Sequence, residues 1–191
     1  MHVRAIVIRK IPVREHDQLV VLYTKEAGRL AATAKGSLRA SSAQALALDE
    51  GNMIECELVQ GRNGLLITGA QVSRAFSGAK SSVARWAAAQ FFLQVIQLSV
   101  YDEQPDIQLW RHLVDVLEQV DGASADALLS VFRSCQGRML EVLGYGASGA
   151  AQLVSHIGRT PLDDRFEEIA QRRMASLDLL YDALRLAGVS C

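Results

Sequence analysis

The sequence predicts an α+β chain: a small five-stranded barrel over residues 1–78, then an all-α domain over residues 79–191. Three observations predict it. The first 75 or so residues hold short apolar or alternating runs separated by turn signals. After Ser77 the apolar positions switch to helical spacing. The charge divides at the same place. The 191 residues carry a net charge of −1, but residues 1–80 hold eleven basic and seven acidic side chains (+4) and residues 81–191 nine and fourteen (−5).

The strands follow in order. Val3–Arg9 is short and β-branched, and Leu19–Tyr23 is a second apolar run. Lys25-Glu26-Ala27-Gly28 makes a turn in which Gly28 can take φ > 0, and Arg29–Ala34 continues as a third strand. Gly36 to Glu50 is the least regular stretch, and its Ser/Ala content suits a loop or short helix. Met53–Gln60 alternates, with Ile54, Cys56 and Leu58 on one face and Glu55 and Glu57 on the other. Gly61-Arg62-Asn63-Gly64 is a hairpin connection with a strong Asn-Gly signal, and Leu65–Val72 is the fifth strand. Five short strands without a helical pattern among the first three suggest an OB-type barrel.

The helices are read by their stripes. In Ser81–Val100, Val83, Ala87, Phe91, Val95 and Leu98 form one line; Phe92 and Ile96 widen it, which predicts burial on most sides. Ile107–Val120 repeats the pattern through Trp110, Leu113 and Leu117. Ser124–Leu143 does so through Leu128, Phe132, Cys135, Met139 and Val142. The last helix begins with Thr160 at the N-cap, Pro161 at N1 and Asp163 at N3. It runs on through Phe166, Ile169, Met174, Leu177, Tyr181 and Leu184, making four main helices.

Half the residues are hydrophobic, enough for a real core. The three cysteines, Cys56, Cys135 and Cys191, form no CxxC pair and no zinc spacing. Cys56 and Cys135 sit on apolar faces and read as small core residues. Scattered thiols fit a reducing compartment. The run Ala5–Ile8 is too short for a signal peptide, and no segment approaches the ~18 apolar residues of a membrane span. The expectation is a cytoplasmic protein.

Catalytic and metal chemistry finds little support. Gly144-Tyr145-Gly146-Ala147-Ser148-Gly149 matches G-x-G-x-x-G, but it follows a long helix and lies in no βαβ unit, so it reads as a glycine-rich helix stop. The four histidines (His2, His16, His112, His156) are dispersed, without metal-ligand spacing. His16-Asp17 is a polar pair in a loop with no nucleophile beside it. The expectation is no enzyme, no catalytic residue, no metal and no cofactor.

The basic residues of the barrel are the better candidates. Arg9, Lys10, Arg14, Lys25, Arg29, Lys35, Arg39 and Arg62 fall at strand ends or in loops, where long side chains reach phosphates. Singly, each reads as ordinary solvated surface. Together, with the compensating acids in the other domain, they predict a nucleic-acid face. Within residues 1–78 the aromatics are Tyr23 and Phe76. Most OB folds draw on base stacking, so the expected grip is electrostatic, sequence-blind and salt-sensitive. Trp86, Phe91, Phe92, Trp110 and Phe132 lie in helical stripes and read as core.

The order of short motifs resembles a known family. Arg4-Ala5-Ile6-Val7-Ile8-Arg9, Glu15-His16-Asp17, Leu22-Tyr23-Thr24-Lys25-Glu26-Ala27-Gly28-Arg29-Leu30 and Ala34-Lys35-Gly36 resemble the start of the RecO family of bacterial recombination and repair mediators. Glu57-Leu58 and Gly61-Arg62-Asn63-Gly64-Leu65 resemble its next hairpin. Phe132-Arg133 and Leu140-Glu141-Val142-Leu143-Gly144-Tyr145 look like the helix end before its zinc module. The resemblance implies an N-terminal OB fold, binding of single- and double-stranded DNA, and annealing of complementary strands. It also implies work with RecR and with the C-terminal tail of single-stranded DNA-binding protein to load recombinase, in the nucleoid. Three departures stand out. Ala147–Gly158 contains none of the four cysteines that many members carry. The basic run after Ala-Lys-Gly is thinned to Ser37-Leu38-Arg39. The usual Pro-Phe is missing near Asp49-Glu50.

An adaptor is the alternative. Its barrel would bind DNA weakly or not at all, and its helical domain would capture an acidic, apolar-ended tail through Arg111, Arg133 or Arg138.

Overall fold

The computed structural model describes residues 1–39, 42, 44–146 and 157–187. The chain forms two compact units. The first comprises Met1–Ala75 together with Val100–Ile107, and the second Phe76–Ser99 and Gln108–Cys191. Cys191, His156 and the Ala147-Ser148-Gly149 end of the glycine motif lie outside the described residues, as does most of Ala147–Gly158, the stretch from which the family's zinc module is expected to be missing.

The first unit is the expected barrel. Its strands are β1 His2–Pro12, β2 Gln18–Thr24, β3 Gly28–Ala34, β4 Met53–Gly61 and β5 Gly64–Arg74. They close in the order β1-β2-β3-β5-β4, and only the β3–β5 pairing is parallel. Alternation explains the closure: Val3, Ala5, Val7, Val20, Leu22, Leu30, Ala32, Ala34, Ile54, Cys56, Leu58 and Ile67 point inward and fill the barrel. Cys56 shares this face with Ile54 and Leu58, as expected, and burial pushes its thiol up to about 11.

Between β3 and β4 the backbone makes turns rather than a helix among its described residues. This connection is pinned to the bulge in β1 between Val7 and Arg9. Gly51 N–H donates to Val7 O at 2.8 Å and Val7 N–H to Asn52 O at 2.9 Å. The Asn52 amide donates to Leu46 O and Ala47 O, and Leu48 enters the core.

In the β4–β5 hairpin, Gly61 pairs with Gly64, which leaves Arg62 and Asn63 as the two loop residues. Gly64, at φ 111°, takes the positive backbone angle that the Asn-Gly signal marked.

The second unit is helical: α1 Ser77–Lys80, α2 Val83–Ser99, α3 Ile107–Gly122, α4 Ala125–Val142, α5 Pro161–Ala170 and α6 Ala175–Leu186. α2 is buried on most of its circumference, and Phe91 sits edge-on to Phe92, Phe132 and Phe166 with centroids 5.0–5.1 Å apart. Cys135 is buried, with its thiol also pushed up to about 11 by burial.

The expected final helix is two helices. Gln171, at φ 49°, ends α5 in the left-handed conformation, and Glu167 Oε1 accepts the Met174 N–H at 2.8 Å to fix the corner. Thr160 caps α5 as expected, its N–H donating to Asp163 Oδ2 at 2.7 Å. The glycine motif stops α4: Gly144 is at φ 84° and Tyr145 N–H donates to Leu140 O at 2.9 Å.

Candidate nucleic-acid interface

Strand register decides which loops meet. β1 and β2 are joined by a loop at residues 13–17, β3 runs out into Lys35-Gly36, and the parallel pairing of Ala32 with Leu65 and Thr33 with Leu66 brings the β4–β5 hairpin to the same end. Between them lies a cleft of about 690 Å³, lined by Val13, Arg14, Asp17, Thr33, Lys35, Arg62, Asn63 and Leu66. Three of the eight expected DNA-binding cations, Arg14, Lys35 and Arg62, thus share one cleft although they are far apart in sequence. All three are exposed.

Asp17 shapes this end. Its Oδ1 accepts the Gly36 N–H at 2.8 Å, and its carbonyl accepts the N–H groups of Val13 and Arg14 at 3.1 and 3.3 Å. Leu38 N–H donates to His16 O at 3.0 Å and Ser37 Oγ to Ala34 O at 2.9 Å. Gly36 takes φ 65°, which glycine adopts without strain. The turn carrying Lys35 and Arg39 is therefore fastened to the loop carrying Arg14. Arg14 Nη1 stands 4.0 Å from Asp17 Oδ2, a loose pair at an exposed guanidinium. His16 is exposed, with Nε2 4.0 Å from Glu15 Oε1.

The other five cations divide. Arg9, Lys25 and Arg39 are exposed. Lys10 donates through Nζ to Asp49 Oδ1 at 2.7 Å, and its N–H to Glu50 Oε1 at 2.9 Å. Arg29 is held by Asp102 of the Val100–Ile107 segment, Nε to Oδ1 at 2.7 Å. The same segment forms a backbone bridge there, with Glu103 N–H donating to Arg29 O at 3.0 Å. Nothing in the order of the sequence announces that a stretch between two helices returns to the barrel.

A stacking surface is scarce, as expected. Tyr23 is wholly buried, its hydroxyl donating to Asp106 O at 3.4 Å, and burial followed by Asp106 pushes its pKa up. Phe76 is 2% exposed and belongs to the helical unit. Among the described Phe, Tyr and Trp residues of the barrel unit, the exposed ring is Tyr101, 77% exposed, next to Asp102. Asn63, Val13 and Leu66 join the cleft without having been singled out by charge. No sequence pattern marks them, because strand register rather than residue type brings them to the cleft.

The three arginines expected to meet a peptide tail lie apart from one another in exposure. Arg111 is exposed, Arg138 is paired with Glu141 at 2.8 Å, and Arg133 is 5% exposed and donates to Gly158 O at 3.0 Å. No group of three or more His, Cys, Asp or Glu residues among the described residues could hold a metal ion. No described helix is long and apolar enough to cross a membrane.

Chemically the cleft gathers three cationic side chains and one carboxylate. A phosphate 4 Å from one cation gains about 1 kcal/mol in a water-like dielectric, so binding must come from several such contacts. It must also weaken as salt rises. The placement matches that of oligonucleotide sites on OB folds, where the β1–β2 and β4–β5 loops flank the bound strand.

Comparison with known proteins bears on this face. The family model for the N-terminal part of recombination protein O matches residues 1–76, the whole barrel up to the helical unit. A DNA repair protein RecO from Rhodopirellula baltica is 29% identical over 180 residues, covering 92% of this chain and 62% of the relative. One from Nocardioides is 33% identical over 147 residues, covering 75% and 59%. One from Geobacter metallireducens is 30% identical over 145 residues, covering 75% and 58%. The chain spans about three-fifths of the length of these curated relatives.

Proposed function

We propose that this chain, which belongs to the RecO family, serves DNA repair by gripping the phosphate backbone of DNA in the barrel cleft. One observation carries the reading: Arg14, Lys35 and Arg62, from three separate loops, line a single cleft at the loop end where OB folds take oligonucleotides. Arg39, in the turn that carries Lys35, extends the positive surface. Arg9 lies along β1 opposite Val21, Lys25 sits in the β2–β3 turn at the other end of the strands, and Lys10 and Arg29 are engaged with Asp49 and Asp102. With Tyr23 buried, affinity comes from charge more than from base stacking. Such a grip leaves base edges free, which suits annealing of complementary strands. It also accommodates both single and double strands, since each presents singly charged phosphates along its backbone.

The RecO resemblance adds the partners: a RecR-like protein, single-stranded DNA-binding protein through its C-terminal tail, and a recombinase to be loaded. It adds a non-enzymatic role in the cytoplasm, at the nucleoid. The adaptor alternative would place function in the helical unit. Arg133 is buried there, Arg138 is exposed but paired with Glu141, and Arg111 is exposed, so these three do not converge as Arg14, Lys35 and Arg62 do around the cleft. The test is fluorescence anisotropy with a single-stranded oligonucleotide across a salt series. Binding that falls steeply with salt and is lost on reversing Lys35 and Arg62 to Glu is expected. An acidic peptide that binds while the oligonucleotide does not, even at low salt, would establish the adaptor instead.

A further inference from the structure

We infer that Asp17 is a positioning residue of the basic cleft whose charge also holds the cleft's affinity for anions down. This rests on the reading of the cleft as a DNA-backbone site and deepens it. The two roles belong to separable properties of the side chain.

The first is an acceptor. Oδ1 takes the Gly36 N–H at 2.8 Å, while the Asp17 carbonyl takes those of Val13 and Arg14. One residue thereby ties the 13–17 loop, which presents Arg14, to the turn that presents Lys35. The side chain is 19% exposed, so this tie is sheltered from competing water.

The second is a charge. A neutral amide at the same position offers an acceptor oxygen to Gly36 just as well, so the tie does not require a carboxylate. Yet an acid lines the cleft beside Arg14, Lys35 and Arg62 and offsets one of their three positive charges. Its Oδ2 stands 4.0 Å from Arg14 Nη1, where an arriving phosphate meets it as a like charge and as a competitor for that guanidinium. The result is a cleft of fixed geometry that binds less tightly and releases sooner than its cations alone would allow.

The test uses the full chain with Asp17→Asn and Asp17→Ala. Two readouts are taken: anisotropy with a fluorescein-labelled oligo(dT) from low to moderate salt, and amide hydrogen exchange at Gly36 by NMR. Asp17→Asn is expected to keep Gly36 exchange slow and to tighten DNA binding about fivefold. Asp17→Ala, which removes the same charge but also the tie, is expected to speed Gly36 exchange and to bind less tightly than Asp17→Asn. Asn binding no tighter than wild type, with Gly36 still protected, overturns the role of the charge. Unchanged Gly36 exchange in the Ala variant overturns the positioning role. Wild-type protein that does not bind the oligonucleotide at all removes the DNA reading and the charge role with it. Gly36 exchange then decides the positioning role by itself.

Discussion

Arg29 Nε and Asp102 Oδ1 lie 2.7 Å apart across 73 residues of sequence, and that contact fastens an interhelical segment onto the barrel's β2–β3 turn. Gly28 beside it, at φ 70°, leaves no room for a Cβ, which would run into the Gln104 backbone. Stability at this end should therefore depend on the glycine more than on the ion pair. Gly28→Ala should cost more than about 2 kcal/mol, since it combines a left-handed backbone with a backbone collision. Arg29→Ala should cost about 1 kcal/mol or less, because Asp102 is largely exposed. Urea denaturation of both variants checks the order; equal losses would contradict it.

The cleft makes a positional prediction about DNA binding. Lys35→Ala with Arg62→Ala should lower the salt slope by about two and weaken binding uniformly across oligonucleotide sequences. Lys35→Glu with Arg39→Glu should also weaken binding and lower the slope. Lys10→Ala should leave the slope nearly unchanged, as Lys10 is engaged by Asp49. Anisotropy titrations at several salt concentrations separate these outcomes.

Asp163 should be the most sensitive polar position of the helical unit. It is fully buried and accepts from Gln136 Nε2 at 2.7 Å, Thr160 N–H at 2.7 Å and the Tyr181 hydroxyl at 2.7 Å. Burial, and then Asp163, push the Tyr181 pKa up, which keeps its hydroxyl a donor. Asp163→Ala strands these donors and should cost about 3–5 kcal/mol. Tyr181→Phe removes one bond and should cost about 1–2 kcal/mol. Chemical denaturation followed by circular dichroism measures both.

His112 should make the fold acid-sensitive. It is buried with Nε2 3.2 Å from Cys135 O, and burial lowers its pKa below 6.5 despite Asp115 and Glu141 nearby; Arg138 adds to the lowering. The unfolded chain then binds the proton more readily than the native one. The stabilisation is complete above pH 6.5 and is lost as pH falls through 6.5 toward the lowered native value. Thermal unfolding between pH 7.5 and 5 should show this loss, and His112→Gln should flatten it.

Much of the fold is legible in residue patterns, and the exceptions have physical causes. The alternation of Ile54, Cys56 and Leu58 marks β4 because a barrel wall buries every second side chain. Thr160, Pro161 and Asp163 mark a helix start because capping is local chemistry. The break between α5 and α6 is harder to see. Its trace is the five-residue step from Ile169 to Met174, which departs from the three- and four-residue rhythm on either side. Gln171 in a left-handed conformation carries no glycine signal, since the corner is held by the contact of Glu167 with Met174.

The candidate site divides in the same way. That the barrel is basic and poor in exposed rings follows from composition, because charge and aromatic content are sums over residues. Which cations act together does not follow from it. Arg14, Lys35 and Arg62 converge because antiparallel and parallel registers bring three remote loops to one end of a closed barrel. Arg29 and Lys10 are engaged because Asp102 and Asp49 arrive beside them from distant segments. Pairing partners are a matter of distance in space, and only the folded chain sets those distances.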